Sequence, residues 1–141
     1  MKTPIELDGI LYGLLRSARS QTPALLDNNG GIYTGDGGRP SDSVAEDVVI
    51  NTIDLGQESL PQTGTSNINI YVADKAIRIG GKDDIAADRV RIDNLAKQVL
   101  SIIRTSVIVG MKGYPTNYTV IREISSKQHY ANIRIEWNIQ N

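Results

Sequence analysis

The stretch of residues 66–105 constrains the fold most strongly, because its hydrophobic period changes from that of a strand to that of a helix. Polar and apolar side chains alternate over 66–73, which predicts a strand with one buried face. Asp83 or Asp84 is suited to cap the helix that follows. Since no side chain in this unit is reactive, we interpret it as scaffold. The apolar stripe of the helix consists of Ile85, Ile92, Leu95, Ala96, Val99, Ile102 and Ile103.

The rest of the chain predicts further elements around this unit. Pro4 opens an amphipathic helix over 4–18, and a short strand is predicted at Ile32 and Tyr33. Together the elements predict an α+β fold with a single mostly antiparallel (mixed) sheet of about four to six strands packed by two helices, in one domain, 1–141. The later elements are a strand over 46–54 paired antiparallel with 65–74, a strand extension or flap over 75–83, a strand over 107–109, a turn over 113–117 and a final hairpin of 118–124 with 130–139.

Composition narrows the class of protein. The 141 residues include no Phe, no Cys and one Trp, so we expect an aliphatic core anchored by Trp137, and thiolate chemistry is excluded. The 15 basic and 16 acidic residues give a net charge of -1, which offers no overall attraction to nucleic acid. Glu6 and Asp8 interrupt the apolar residues near the N-terminus, and no apolar run is long enough to span a membrane. We therefore expect a soluble, intracellular protein.

No motif in the sequence predicts catalysis. His129 is the only histidine and lies in a polar turn before the last predicted strand, where an exposed side chain is expected rather than the base of a triad. Asp83, Asp84 and Asp88 are metal ligands in type, but capping and solvation explain them with fewer assumptions. The segment 80–83, Gly-Gly-Lys-Asp, lacks the spacing of a phosphate-binding loop and predicts a turn. The sequence predicts a protein that is not an enzyme and holds no cofactor or metal.

Six segments of the chain carry a family resemblance. In order they are IELDGILYGLLRSA, GGIYTGDGGRP, EDVVINTID, NINIYVAD, RIDNLAKQVLSII and YANIRIEW, which we interpret as a helix, a short strand with a loop, two strands, a helix and a strand. In this pattern the chain resembles the tail terminator and tail completion proteins of long-tailed phages. The resemblance implies a small α+β subunit that forms a ring, commonly a hexamer, which caps the tail tube and joins it to the head.

The resemblance also implies partners and a location. The expected partners are further copies of the chain, the tail tube protein and a head-tail connector protein, while DNA passes through the lumen without sequence-specific binding and no membrane takes part. We expect the protein in the tail or neck of the virion, and in the cytoplasm of the bacterial host before assembly. The alternatives are a head-completion or neck connector subunit, a small non-enzymatic binding module for a small molecule or peptide, and lastly a hydrolase.

Three segments rich in Gly, Pro and polar residues are the predicted assembly loops, namely 30–40, 57–65 and 75–82. If these loops act only in assembly, deletion of 58–64 is expected to leave folding intact and to abolish ring formation or tail joining. The segment 75–83 has no counterpart in the family pattern. The candidate contact residues in the three loops are Asp36, Arg39, Glu58, Gln62, Arg78 and Lys82.

Overall fold

A computed structural model describes residues 1–35 and 37–141 of the chain. These residues form two helices and seven strands, so the predicted α+β class is confirmed. In chain order the elements are α1 (Pro4–Arg19), β1 (Ile32–Thr34), β2 (Val48–Leu55), β3 (Gln62–Ala73), β4 (Lys75–Ile79), β5 (Lys82–Ala86), α2 (Arg89–Thr105), β6 (Met111–Glu123) and β7 (Gln128–Ile139).

Five strands form one mixed sheet in the order β1-β2-β3-β7-β6. β1 and β2 are parallel, and the other neighbours are antiparallel. The pairing of β2 with β3 and the final hairpin of β6 and β7 agree with the sequence prediction. β4 and β5 pair with each other in a separate two-stranded sheet.

Both helices pack on the same face of the five-stranded sheet. α1 contacts β1 and β2, α2 contacts β3, β6 and β7, and the two helices touch each other. Trp137 is 3% exposed, which confirms it as a core residue. Among the described residues, neither helix has the length and hydrophobicity needed to cross a membrane. The largest fully buried side chains are Leu7, Leu11, Leu15, Leu26, Ile50, Ile68, Ile70, Ile92, Leu95, Ile103, Ile133 and Ile135.

A buried chain of hydrogen bonds ties α1 to the middle of the sheet. The Trp137 indole N–H donates to Ser66 Oγ at 2.8 Å, and Ser66 Oγ lies 2.7 Å from Thr52 Oγ1. Asp8 Oδ1 accepts both the hydroxyl and the backbone N–H of Thr52, at 2.7 and 2.8 Å. Because the indole only donates and the carboxylate only accepts, the Ser66 hydroxyl donates to Thr52. The polar groups are therefore buried with their hydrogen bonds satisfied.

The segment predicted as a strand extension or flap is a β-hairpin. Gly80 and Gly81 have φ values of 56° and 81°, a backbone conformation that glycine adopts without strain. They form a two-residue turn between Ile79 and Lys82, which are opposite each other in the ladder. Glycines at both central positions suit this hairpin turn, so the Gly-Gly pair marks the reversal.

The start of α2 differs from the prediction. Ile85 belongs to β5 and not to the helix, although its position in the sequence falls in phase with the apolar stripe. The helix begins after Asp88, whose Oδ1 accepts the backbone N–H of Arg91 at 3.2 Å. The prediction that Asp83 or Asp84 caps the helix is therefore wrong, because the hairpin separates both residues from it.

β6 continues through the predicted turn at 113–117, so that prediction is wrong. Pro115 is tolerated because β6 is an edge strand, where a missing N–H costs no ladder bond, and the register shifts between Pro115 and Asn117. Gly113 lies against the core, since an added Cβ there would come within 3.0 Å of Trp137. The strand predicted at 107–109 is reduced to a single bridge at Ile108.

Candidate assembly surfaces

The β4–β5 hairpin is the most exposed regular element of the described structure. Eight of its ten strand residues are exposed, including Ile79 at 61% and Ile85 at 42%. Arg78 and Asp83 face each other across the ladder and form an ion pair at 3.2 Å, with side chains 69% and 89% exposed. An ion pair this exposed contributes little stability, so charged and apolar groups of the hairpin both lie at the surface without strong partners.

A groove of about 650 Å³ runs between the N-terminal half of α2 and the edge strand β6. Val90 and Val120 line it and are 76% and 45% exposed. Tyr118 donates from its hydroxyl to Asp93 Oδ1 at 3.3 Å, and burial together with the Asp93 carboxylate raises the pKa of Tyr118. Asp93 also pairs with Lys97 one turn later, at 3.0 Å. The groove thus combines exposed apolar side chains with charges of both signs.

The face of the sheet opposite the helices carries rows of polar side chains across its strands. Asn51, Asn67, Arg134 and Asn117 lie side by side across β2, β3, β7 and β6. In the neighbouring row the Asn132 amide donates to Asn69 Oδ1 at 2.7 Å. Such cross-strand hydrogen bonds order the side chains while leaving them half-exposed. This polar face is therefore a further exposed surface, besides the hairpin and the groove.

Arg39, a predicted contact residue, is instead held within the protein. Its guanidinium donates to Asp47 Oδ2 at 2.7 Å and to Gln128 Oε1 at 2.8 Å, and it lies 3.9 Å from the centre of the Tyr71 ring. Burial favours the neutral form of Asp47, but hydrogen bonds from Ser43, the Gly31 N–H and Arg39 outweigh it, and the pKa of Asp47 is lowered. Arg39 therefore fixes its loop against one end of the polar face. Asp36, also predicted, lies outside the described residues.

Gln62 is likewise a structural residue. It is 1% exposed, and its amide N–H groups donate to the backbone oxygens of Lys2 and Gly56 at 2.9 and 2.7 Å, while its Oε1 accepts from the Lys2 N–H at 2.7 Å. Because β3 begins at Gln62, only 57–61 of the predicted loop 57–65 lie outside a strand, and this part carries the exposed Glu58. Deletion of 58–64 would remove three strand residues, so the structure argues against the expectation that folding stays intact.

Arg91 joins α2 to the segment before β2. It donates to Glu46 through two nitrogens, at 2.7 and 2.8 Å, and pairs with Asp27 at 3.3 Å. The hydrogen bond from Arg91 is the main influence on Glu46 and lowers its pKa despite partial burial. This bidentate contact sets the position of α2 relative to the sheet.

His129 lies in β7 and not in an exposed turn, so that part of the prediction is wrong. Its Nδ1 is 2.6 Å from Asp74 Oδ1, and the two side chains are 21% and 6% exposed. Asp74 is the single residue between β3 and β4, and its backbone N–H donates to Lys127 O at 3.0 Å. The pair therefore secures the base of the hairpin.

The three aspartates considered as metal ligands have separate partners. Asp83 pairs with Arg78, Asp84 accepts the Ile85 N–H at 2.8 Å, and Asp88 caps α2. Within 1–35 and 37–141, no three His, Asp or Glu side chains are arranged to hold a metal ion.

Of the predicted contact residues, Glu58, Arg78 and Lys82 are exposed, whereas Arg39 and Gln62 are held by the protein's own hydrogen bonds. The prediction overlooked the α2–β6 groove, because its walls come from elements that are distant in sequence. No family model matches the chain, and no curated protein matches it in sequence.

Proposed function

We propose that the protein is a structural subunit of a phage virion or prophage particle, and that copies of it form a ring that caps the tail tube and joins it to the head. The observation that carries this proposal is the exposed β4–β5 hairpin on a body held together by buried contacts. A ring subunit needs a rigid body and a protruding element that contacts its neighbour head to tail.

The order of elements supports the proposal as well. The segments on which the family resemblance rests lie in α1, β1, β2, β3, α2 and β7, so each corresponds to a regular element of the fold. The hairpin is inserted between β3 and α2, at the segment without a counterpart in the family pattern. It adds a contact element to the chain without disturbing the order of the others.

The polar sheet face supports the proposal in a different way. Asn51, Asn67 and Asn117 carry no charge, and the interspersed Arg134 gives the row one positive charge. Amide groups both donate and accept, so they can form hydrogen bonds with a neighbouring protein without the desolvation cost of buried charges. Such a face suits contact with a second structural protein of the particle.

Tail-tube growth provides the test. Purified tube protein is polymerised with and without this chain, and tube lengths and ends are imaged by electron microscopy. The proposal predicts shorter tubes with extra density at one end. Tubes of unchanged length with bare ends would contradict the terminator role, and binding to head connectors alone would instead favour a neck connector subunit.

A further inference from the structure

The β4–β5 hairpin lacks support from its own body. An isolated two-stranded hairpin is at best marginally stable in water, and stability normally requires a third strand or a packed face. β4 and β5 nevertheless pair with each other and not with the five-stranded sheet. Packing against a surface outside the hairpin would therefore stabilise it.

One face of the hairpin combines apolar and charged groups at fixed spacing. Residues opposite each other in the ladder share a face, so Ile77 lies beside Asp84, and Ile79 lies beside Lys82. Asp84 and Lys82 are two residues apart on one strand, which separates them by about 7 Å. Asp84 has no cationic partner among the residues described.

The α2–β6 groove matches this face in its exposed apolar side chains and in the spacing of its charges. Arg89 and Asp93 line it one helical turn apart, which places their Cβ atoms about 6 Å from each other. Within the described part of the chain Arg89 has no acidic partner. Val120 lies on the β6 side of the groove and is 45% exposed. A hairpin laid along the groove covers apolar side chains with Ile77 and Ile79 and places Asp84 near Arg89. Lys82 then lies near Asp93, where it joins the existing pair with Lys97.

The hairpin does not occupy the groove of its own chain, because none of its residues lines that groove in the described structure. β5 ends at Ala86 and α2 begins at Arg89, so two residues connect them. The hairpin therefore ends beside the first residues of the groove with its exposed face uncovered. Since one chain carries both surfaces and their charges are complementary, a second copy is the occupant that these observations favour.

We propose that the β4–β5 hairpin of one copy docks in the α2–β6 groove of a second copy, with Asp84 against Arg89 and Lys82 against Asp93. The contact deepens the proposed function, on which it rests for the ring, because donor and acceptor surfaces differ and can repeat head to tail.

Disulfide trapping tests the contact directly. The chain has no cysteine, so each introduced thiol is unique. An affinity-tagged Ile77→Cys variant is mixed with an untagged Val120→Cys variant and oxidised. The proposal predicts a mixed disulfide between the two. The matched control replaces Val120→Cys by Val107→Cys, a 94% exposed position beyond the other end of α2. A yield no higher than that of the control would overturn the proposal.

Charge reversal gives an independent test that does not depend on thiol geometry. Asp84→Arg and Arg89→Asp are each expected to weaken self-association roughly 3- to 10-fold, as measured by sedimentation, since an exposed pair is lost and like charges meet. The double variant restores the association, because the two charges are exchanged. Weakening without restoration would contradict the pairing.

The same thiols separate this contact from the ring. A chain carrying both Ile77→Cys and Val120→Cys is expected to form a ladder of covalent oligomers that ends at a closed ring. A ladder that stops at two copies would support the contact but contradict the ring. In such a dimer the hairpin of each copy docks in the groove of the other, so no surface is left for a third copy. Absence of any ladder, with tubes still capped, would overturn the contact and leave the proposed function standing.

Discussion

Replacement of Ser66 by alanine is expected to destabilise the fold through hydrogen bonding alone. The Ser66 hydroxyl connects the Trp137 indole to Thr52, and the residue is 0% exposed. Alanine removes the oxygen without creating space for a water molecule bonded to several partners. The Trp137 N–H then has no acceptor, and the chain of hydrogen bonds to Asp8 is broken at its centre.

The magnitude follows from the groups left behind. A buried donor without an acceptor costs about 1–3 kcal/mol, and Trp137 is such a donor because it is 3% exposed. Thr52 keeps its bond to Asp8 and loses only the donor from Ser66. We therefore expect a loss of roughly 2–3 kcal/mol in the free energy of unfolding, which lowers the Tm by about 6–10 °C for a chain of this size.

Urea unfolding followed by circular dichroism measures the effect. Fluorescence is unsuitable, because its only tryptophan source, Trp137, lies in the site that is changed. In a double-mutant cycle, Ser66→Ala and Trp137→Phe together are expected to cost about 1 kcal/mol less than the sum of the single changes. Ser101→Ala on the exposed face of α2 is the control and should stay within about 0.5 kcal/mol of wild type. Additive single changes would refute the hydrogen-bond explanation.

Two further outcomes follow from the structure. The pKa values of Glu46 and Asp47 are lowered in the fold, so the two carboxylates contribute stability that is fully present above their ordinary values of 4.5 and 3.8. This stability is lost as the pH falls through the lower folded values. The urea midpoint of the wild-type chain should therefore decrease in that acid range, and that of Glu46→Gln should decrease less. A midpoint independent of pH there would contradict these ion pairs. Gly64→Ala places a Cβ against the Asp54 carbonyl oxygen and should lower the free energy of unfolding by about 1–3 kcal/mol. Gly9→Ala, in open space on α1, should raise it by roughly 0.5–1 kcal/mol. Equal shifts of the Tm in the two variants would contradict both expectations.

Hydrophobic periodicity was sufficient to predict most of the elements. Alternation over β3 and β7 predicted the buried faces that contain Ile68 and Ile135, and these faces meet the apolar stripes of α1 and α2. Such patterns succeed because burial depends on one side of each element and repeats at its own period. They failed at Ile85, because a single apolar residue in phase with a helix carries no information about whether the helix has begun.

Turn signals were less dependable. Gly80 and Gly81 mark a true reversal, whereas Gly113 and Pro115 lie within β6. The difference comes from tertiary structure, since Gly113 is required by the close approach of Trp137 and the edge position removes the cost of Pro115. Composition at a single segment does not contain either fact.

The candidate assembly surfaces were only partly predictable. The Gly and polar content of 75–82 predicts an exposed segment. It does not predict the α2–β6 groove that we propose as its acceptor, because that groove brings Val90 and Val120 together from opposite sides. Loop length and composition predict Arg39 and Gln62 as assembly contacts, although long-range hydrogen bonds to Gln128 and Lys2 hold them in the fold. Polar residues in a loop are ambiguous until their partners are located.

The solution mass of the wild-type chain, measured by light scattering from micromolar to near-millimolar concentration, tests the central claim most directly. We predict a mass that rises from the 15.4 kDa of one chain toward about six copies and then stays constant, because a closed ring has no free contact left. A mass of 15.4 kDa over the whole range would contradict ring formation, and a mass that grows without limit would show an open filament instead.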